Sequence, residues 1–202
     1  MNEFERWQAR FAVPEYIFGT EPNAFLRAHK HLLPKQGRVL AIADGEGRNG
    51  VWLAEQGLEV LSIDFSSRAQ AKARALAQER GVRIAIELID VAAYAWPAET
   101  FDMVVDIFTQ FAGPAGRAEK FAGIRRTLKT GGLFLLQGYR PEQLAYGTGG
   151  PPHAENMYTR ELLEREFAGF RSVEIKQYDA EIYEGTAHGG MSALITLVGW
   201  KH

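Results

Sequence analysis

Short apolar runs alternate along the chain with longer segments of helical period. Val39-Leu40-Ala41-Ile42 is a compact aliphatic run bounded by glycine, the mark of a buried strand. Runs at 59–64, 83–88, 101–108 and 133–137 repeat the pattern, and the run at 101–108 reads as apolar on both faces, as a central parallel strand would be. Between them lie predicted helices opening at Val51 and ending near Gln56-Gly57, at 67–80 and at 115–128. Ser67 with Gln70 makes a capping box for the Ala-rich 67–80 segment, which Gly81 closes. Further on, residues 138–158 read as a long glycine-rich loop, and a helix at 159–167 precedes two strand-like runs at 172–183 and 191–200. The glycine-bearing linker 184–190 makes those two runs a hairpin. Five α/β alternations followed by a hairpin predict a doubly wound, mostly parallel sheet whose last strand runs the other way.

Ahead of this core, residues 1–35 read as a helical N-terminal cap, with helices at about 2–11 and 22–33 divided by Pro14 and the Gly19-Thr20-Glu21-Pro22-Asn23 turn. Phe4, Trp7 and Phe11 recur at helical spacing, which predicts packing on the domain. Tyr16 and Phe18, in the irregular link, fit packing or a lid equally. Residues 36–202 then form the α/β core, and 1–202 reads as a single domain.

Composition narrows the partners. Lys and Arg number 23 against 25 Asp and Glu, a formal charge of −2 without charged tracts, which argues against nucleic acid. There is no cysteine, which removes disulfides, thiolate metal sites and a Cys nucleophile, and fits a reducing, cytoplasmic setting. No His/Asp/Glu spacing looks like a metal site. No apolar stretch nears the ~18 residues of a membrane span, and the first residues lack a signal-peptide pattern. The expected partner is a small-molecule substrate, and the expected state a monomer or weak homodimer.

The chemistry gathers where the predicted strands end. Gly45-Glu46-Gly47-Arg48-Asn49-Gly50 satisfies G-x-G-x-x-G, and Asp64 lies where the ribose acid of a dinucleotide domain would stand. An NAD(P)-dependent oxidoreductase is therefore one alternative, but none of the seven tyrosines has a Lys four residues on, as the short-chain type requires. Arg48, at the positive end of the predicted helix, is expected to pair with Asp44 or Glu46. Acids stand at four successive strand ends, Asp44, Asp64, Asp90 and Asp106, the side on which open α/β sheets bind ligands.

This order of features resembles class I S-adenosylmethionine-dependent methyltransferases: the glycine turn, Asp64, Asp90, Phe101-Asp102-Met103-Val104-Val105-Asp106, Leu128-Lys129-Thr130-Gly131-Gly132 and the closing antiparallel strand. More narrowly, Tyr16-x-x-Gly19-Thr20-Glu21-Pro22-Asn23, Gly45-Glu46-Gly47-Arg48-Asn49 and Thr148-Gly149-Gly150-Pro151 resemble the small bacterial tellurite-resistance and thiopurine methyltransferases. The resemblance implies a seven-stranded sheet of order 3-2-1-4-5-7-6 with strand seven antiparallel and a helical lid. It implies S-adenosyl-L-methionine as cofactor, held by Asp44, Gly45, Glu46, Gly47, Asn49, Asp64, Phe65, Ser66, Asp90, Val91, Asp106, Ile107 and Tyr16. Within that set Asp64 would accept the ribose hydroxyls, Phe65 flank adenine, Asp90 and the Val91 N–H meet its edge, and Asp106 and Ile107 face the methionine and methyl. The chain departs from the pattern at Ala41 and Ala43, where the family carries an acid two residues before its first glycine.

On the acceptor side, His188 is a candidate base or orienting group, with Asp106 as the second catalytic candidate and Tyr139, Arg140 and Thr148 as substrate contacts. The expected reaction is methyl transfer to a small molecule, such as a thiol, a metalloid oxyanion or another soft nucleophile. A non-catalytic S-adenosylmethionine-binding protein is the alternative that the alanines at 41 and 43 suggest.

Overall fold

A computed structural model describes residues 3–202, and within them two compact units, the first running to Tyr94 and taking in Glu184–Ala187, the second made of Ala95–Tyr183 and His188–His202. Seven strands form one sheet in the order β3-β2-β1-β4-β5-β7-β6.

In the first unit β1 (Arg38–Ile42), β2 (Glu59–Asp64) and β3 (Ala85–Leu88) pair in parallel, with Ile42 opposite Ile63 and Asp64 opposite Leu88. Helix α1 (Glu3–Arg10) and the short α2 (Ala24–Ala28) precede them, α3 (Arg48–Glu55) follows β1, and α4 (Ser67–Glu79) follows β2. The 22–33 helix resolves into α2 and a 3-10 turn, Lys30–Leu32. The cap of α4 is Ser66, whose hydroxyl accepts the Ala69 N–H, and the box expected from Ser67 and Gln70 does not form. Gln70 instead turns inward, donating to the carbonyls of Asp64 and Glu87 and so tying β2 to β3. Helix α4 buries Ala69, Ala73, Leu76 and Ala77, and the small Ala73 lets the turn at Gly47, which opens α3, approach closely.

In the second unit β4 (Phe101–Ile107) and β5 (Leu128–Tyr139) are parallel, and β7 (His188–Lys201) runs antiparallel to β5 from Leu133–Trp200 to Tyr139–Leu194. Pairing of β4 with β5 breaks between Phe101 and Met103, where the chain detours through Lys129–Gly132; hence β5 is longer than the 133–137 run. Helix α5 (Pro114–Thr127) follows β4, and β6 (Phe170–Glu184) follows α7 (Arg160–Glu166). The strands of the hairpin reach to Glu184 and His188, so His188 opens β7 and does not lie in the linker. The expected loop 138–158 holds a short helix, α6 (Gln143–Tyr146), closed by Gly147 in the left-handed conformation, and a 3-10 turn, Ala154–Asn156.

Candidate cofactor site

The turn after β1 is built around Asp44. Its carboxylate accepts the Ser62 hydroxyl from β2 at 3.0 Å and the Gly50 N–H at 3.2 Å, spanning the gap between β2 and the first turn of α3. A Cβ on Gly50 would land inside this carboxylate, and one on Gly47 would stand 2.6 Å from the Ala73 Cβ of α4. These two motif glycines therefore serve packing within the chain, and Gly47, at φ +84°, also needs the left-handed region. Gly45 differs: the outer side of its backbone faces the ring of Phe11, 3.6 Å from where a Cβ would lie. Ala41 is buried opposite Ser62, and Ala43 holds φ +44°, a conformation in which alanine is strained. Burial pushes the Asp44 carboxyl up to about 7, against the pull of Ser62, Gly50 and Arg48.

Asp64, at the β2 tip, accepts the Gly45 N–H at 2.9 Å on one oxygen and the Ser66 N–H at 2.7 Å on the other. A carboxylate offers about four acceptor positions, so each oxygen keeps one for a further donor, which suits a vicinal diol. Burial raises its pKa to about 6 despite those two N–H groups. Phe65, beside it, lies 5.7 Å from Phe4 and packs against the buried Trp7, Phe11, Ile17 and Ala69. Gln8 of α1 accepts from the Ser66 hydroxyl at 2.7 Å, and the Arg10 guanidinium covers the Trp7 ring at 4.6 Å. Thus α1 is fixed over the β2 tip by residues no motif announced. Asp90 caps the 3-10 turn Val91–Ala93 through the Ala92 N–H.

Other predicted residues are engaged within the unit. Glu46 is buried and paired with Lys72 at 2.6 Å, and Lys72 also passes 5.7 Å from the Tyr16 ring, whose hydroxyl donates to the Lys72 carbonyl. Arg48 pairs with neither Asp44 nor Glu46; it makes a buried ion pair with Glu184 at 2.6 Å and donates to the Phe18 carbonyl. Asn49 accepts the Asn23 N–H, and Glu184 takes donors from Asn23 and Ala24. The Arg48-Asn49 dipeptide thus anchors the 18–24 segment and the hairpin turn.

The second unit carries the remaining candidates. Asp106 is fully buried, accepts the Thr109 hydroxyl and lies 2.8 Å from the Lys120 ammonium; Ile107 beside it is buried too. Burial opposes the charge on Lys120, but Asp106 and Tyr158 more than offset it and raise its pKa above the usual lysine value. His188 stands edge-on to Phe108 at 4.7 Å and to Tyr139 at 6.1 Å. Arg140 is paired with Asp179, and Thr148 donates to the Met191 carbonyl while accepting from the fully buried Gln143. Among the described residues no group of three or more His, Asp or Glu could hold a metal ion.

Residues 39–132, which span the glycine turn, the Asp64 and Asp90 tips and β4, match the family model for a methyltransferase domain. By that model the matched segment is a methyltransferase domain, and the sheet order is that of the class I methyltransferase fold. No curated protein is detectably similar in sequence. Among solved structures, the chain resembles a protein described in the conversion of a disulfide bond into a thioacetal group during echinomycin biosynthesis, at a TM-score of 0.74 and 19% identity over 99% of this chain and 94% of that one. It also resembles the N-methyltransferase NodS of Bradyrhizobium japonicum, solved with S-adenosylhomocysteine, at 0.72 and 16% identity over 100% and 99%. TehB of Haemophilus influenzae matches at 0.68 and 17% identity, over 88% of this chain and 61% of that one. The sheet of this chain has the order and the antiparallel seventh strand expected from the sequence. No helix among the described residues is long and apolar enough to cross a membrane.

Proposed function

We propose that the chain, acting as one domain, transfers the methyl group of S-adenosylmethionine to a soft nucleophile on a small molecule, a thiol or a metalloid oxyanion. The observation that carries the donor side is the Asp64 carboxylate, fixed by the Gly45 and Ser66 N–H groups with an acceptor position left on each oxygen. In this reading those positions receive the two ribose hydroxyls, Phe65 flanks the adenine and Asp90 with the Val91 N–H meets its edge. The Gly45 backbone lies along the donor. Asp44, Glu46, Asn49 and Tyr16 shape the turn from behind, since their polar atoms already serve Ser62, Lys72, Asn23 and the Lys72 carbonyl.

The donor supplies an activated methyl: its sulfonium carbon–sulfur bond breaks as the nucleophile's lone pair forms the new bond, and the electron pair returns to sulfur. The chain's own task is then alignment and exclusion of water, effects that lower a barrier by ~7 to 11 kcal/mol. Trp7, Phe11 and Phe18 would cover the turn. His188, held edge-on by Phe108 and Tyr139, orients the acceptor or takes its proton, and Arg140 and Thr148 shape that side. The structural likeness to a protein of disulfide-to-thioacetal conversion supports a soft acceptor.

Calorimetric titration with S-adenosylhomocysteine beside NAD tests the donor side. Binding of the former alone is expected, and Asp64→Ala should weaken it by ~1 to 3 kcal/mol. No heat with S-adenosylhomocysteine, or heat with NAD, sinks the reading.

A further inference from the structure

Phe108 follows β4 with φ +56°, a left-handed backbone that a bulky residue adopts only where its surroundings force it. The bend is gripped on both sides by one ammonium. Lys120, on α5, donates to the Thr109 hydroxyl at 2.6 Å and to the Thr109 carbonyl at 3.2 Å, and sits 2.8 Å from Asp106; the Thr109 hydroxyl in turn donates to Asp106. Residues 106 and 109, which flank the bend, are thereby fixed to each other and to α5. The same ammonium donates to the Tyr158 hydroxyl at 3.0 Å, and the Tyr158 N–H donates to the Tyr139 carbonyl. Gln110 adds a pair of bonds to the Tyr139 backbone, as a strand partner would. So the backbone under Phe108 and the backbone under Tyr139 share one tie point. Their rings lie 4.7 Å apart, and His188 stands edge-on to both.

We propose that Lys120 is a positioning residue for the Phe108–Tyr139–His188 wall: it holds the strained Phe108 bend and so sets the orientation of His188. Lys120 is 6% exposed and Asp106 fully buried, so the ammonium acts on the wall through the backbone it ties. The role as an acceptor wall rests on the function proposed above; the positioning itself does not.

The test reads the ring protons of His188 by NMR, assigned with His188→Gln, in the full chain. The Phe108 ring should displace the His188 signals from their free positions, and Lys120→Met should abolish that displacement. If Lys120→Met does not fold because Asp106 is left buried and unpaired, Asp106→Asn with Lys120→Met removes both charges and the same loss is expected. Thermal unfolding supplies a readout that a general buried-charge role would not move. The drop in Tm caused by Lys120→Met should be clearly smaller when Phe108→Gly has already relieved the bend. Retention of the His188 displacement, or equal drops in Tm in both backgrounds, overturns the proposal. Titration of the single variant Lys120→Met with S-adenosylhomocysteine should give the wild-type affinity. A wild-type protein that does not bind it would sink the functional reading and leave the NMR result to judge Lys120 separately.

Discussion

Replacing Asp44 by asparagine should change how stability depends on pH. The carboxyl is pushed up to about 7, chiefly by burial, and the unfolded chain would titrate near 3.8. An acid whose folded pKa is raised binds its proton more tightly in the folded state. Its contribution is therefore most favourable at low pH and is lost as pH rises through the window from about 4 to about 7. Linkage over that shift removes about 2 to 3 kcal/mol between pH 5 and pH 8. This is an upper figure, because Asp44 keeps some exposed surface. Asparagine fills the same space, can still accept from Gly50, and carries no charge to bury. Asp64 shifts the same way, to about 6, in both proteins and so largely cancels from the difference. Urea unfolding followed by tryptophan fluorescence at pH 5 and pH 8 gives the four stabilities. The advantage of Asp44→Asn over wild type should grow by about 2 kcal/mol from the lower to the higher pH. A difference that stays constant would refute the argument that Asp44 ionises at a cost inside the fold.

Other outcomes follow from the same geometry. Glu184→Ala leaves Arg48 buried without its carboxylate and releases Asn23 and Ala24, so stability should fall by ~3 to 5 kcal/mol, with faster hydrogen exchange along Ala24–Ala28; unaltered exchange there would contradict the anchoring role. Ala43→Gly relieves a left-handed alanine, worth ~1 to 2 kcal/mol, against ~0.5 to 1 kcal/mol of lost backbone freedom, and should raise stability by up to ~1.5 kcal/mol in the same urea assay.

The strands were legible because runs such as Val39–Ile42 and Leu133–Leu136 are buried throughout, which leaves an unbroken apolar signal. Caps were less so: Ser66 and Ser67 are chemically equal candidates, and only the extended backbone of Ser66 decides between them. Arg48 was read against its near neighbours, whereas its partner Glu184 lies 136 residues away, a distance no local pattern spans. Lys120 escaped notice for a different reason. A lysine on a helix of mixed polarity reads as solvent-facing, and only the tertiary position of Asp106 turns it inward. The acids at the strand tips were visible from position alone, but not that the N–H groups of Gly45 and Ser66 already occupy Asp64 or that Lys72 already occupies Glu46.

The carboxylate of Asp44 fills the space where position 50 would carry a side chain. The two positions are consequently coupled. So long as the carboxylate keeps its bonds to Ser62 and to the N–H at 50, a side chain at 50 must displace it, whatever the chain binds. A shorter residue at 44 would open that space, and the glycine signature could then fade with no change in ligand.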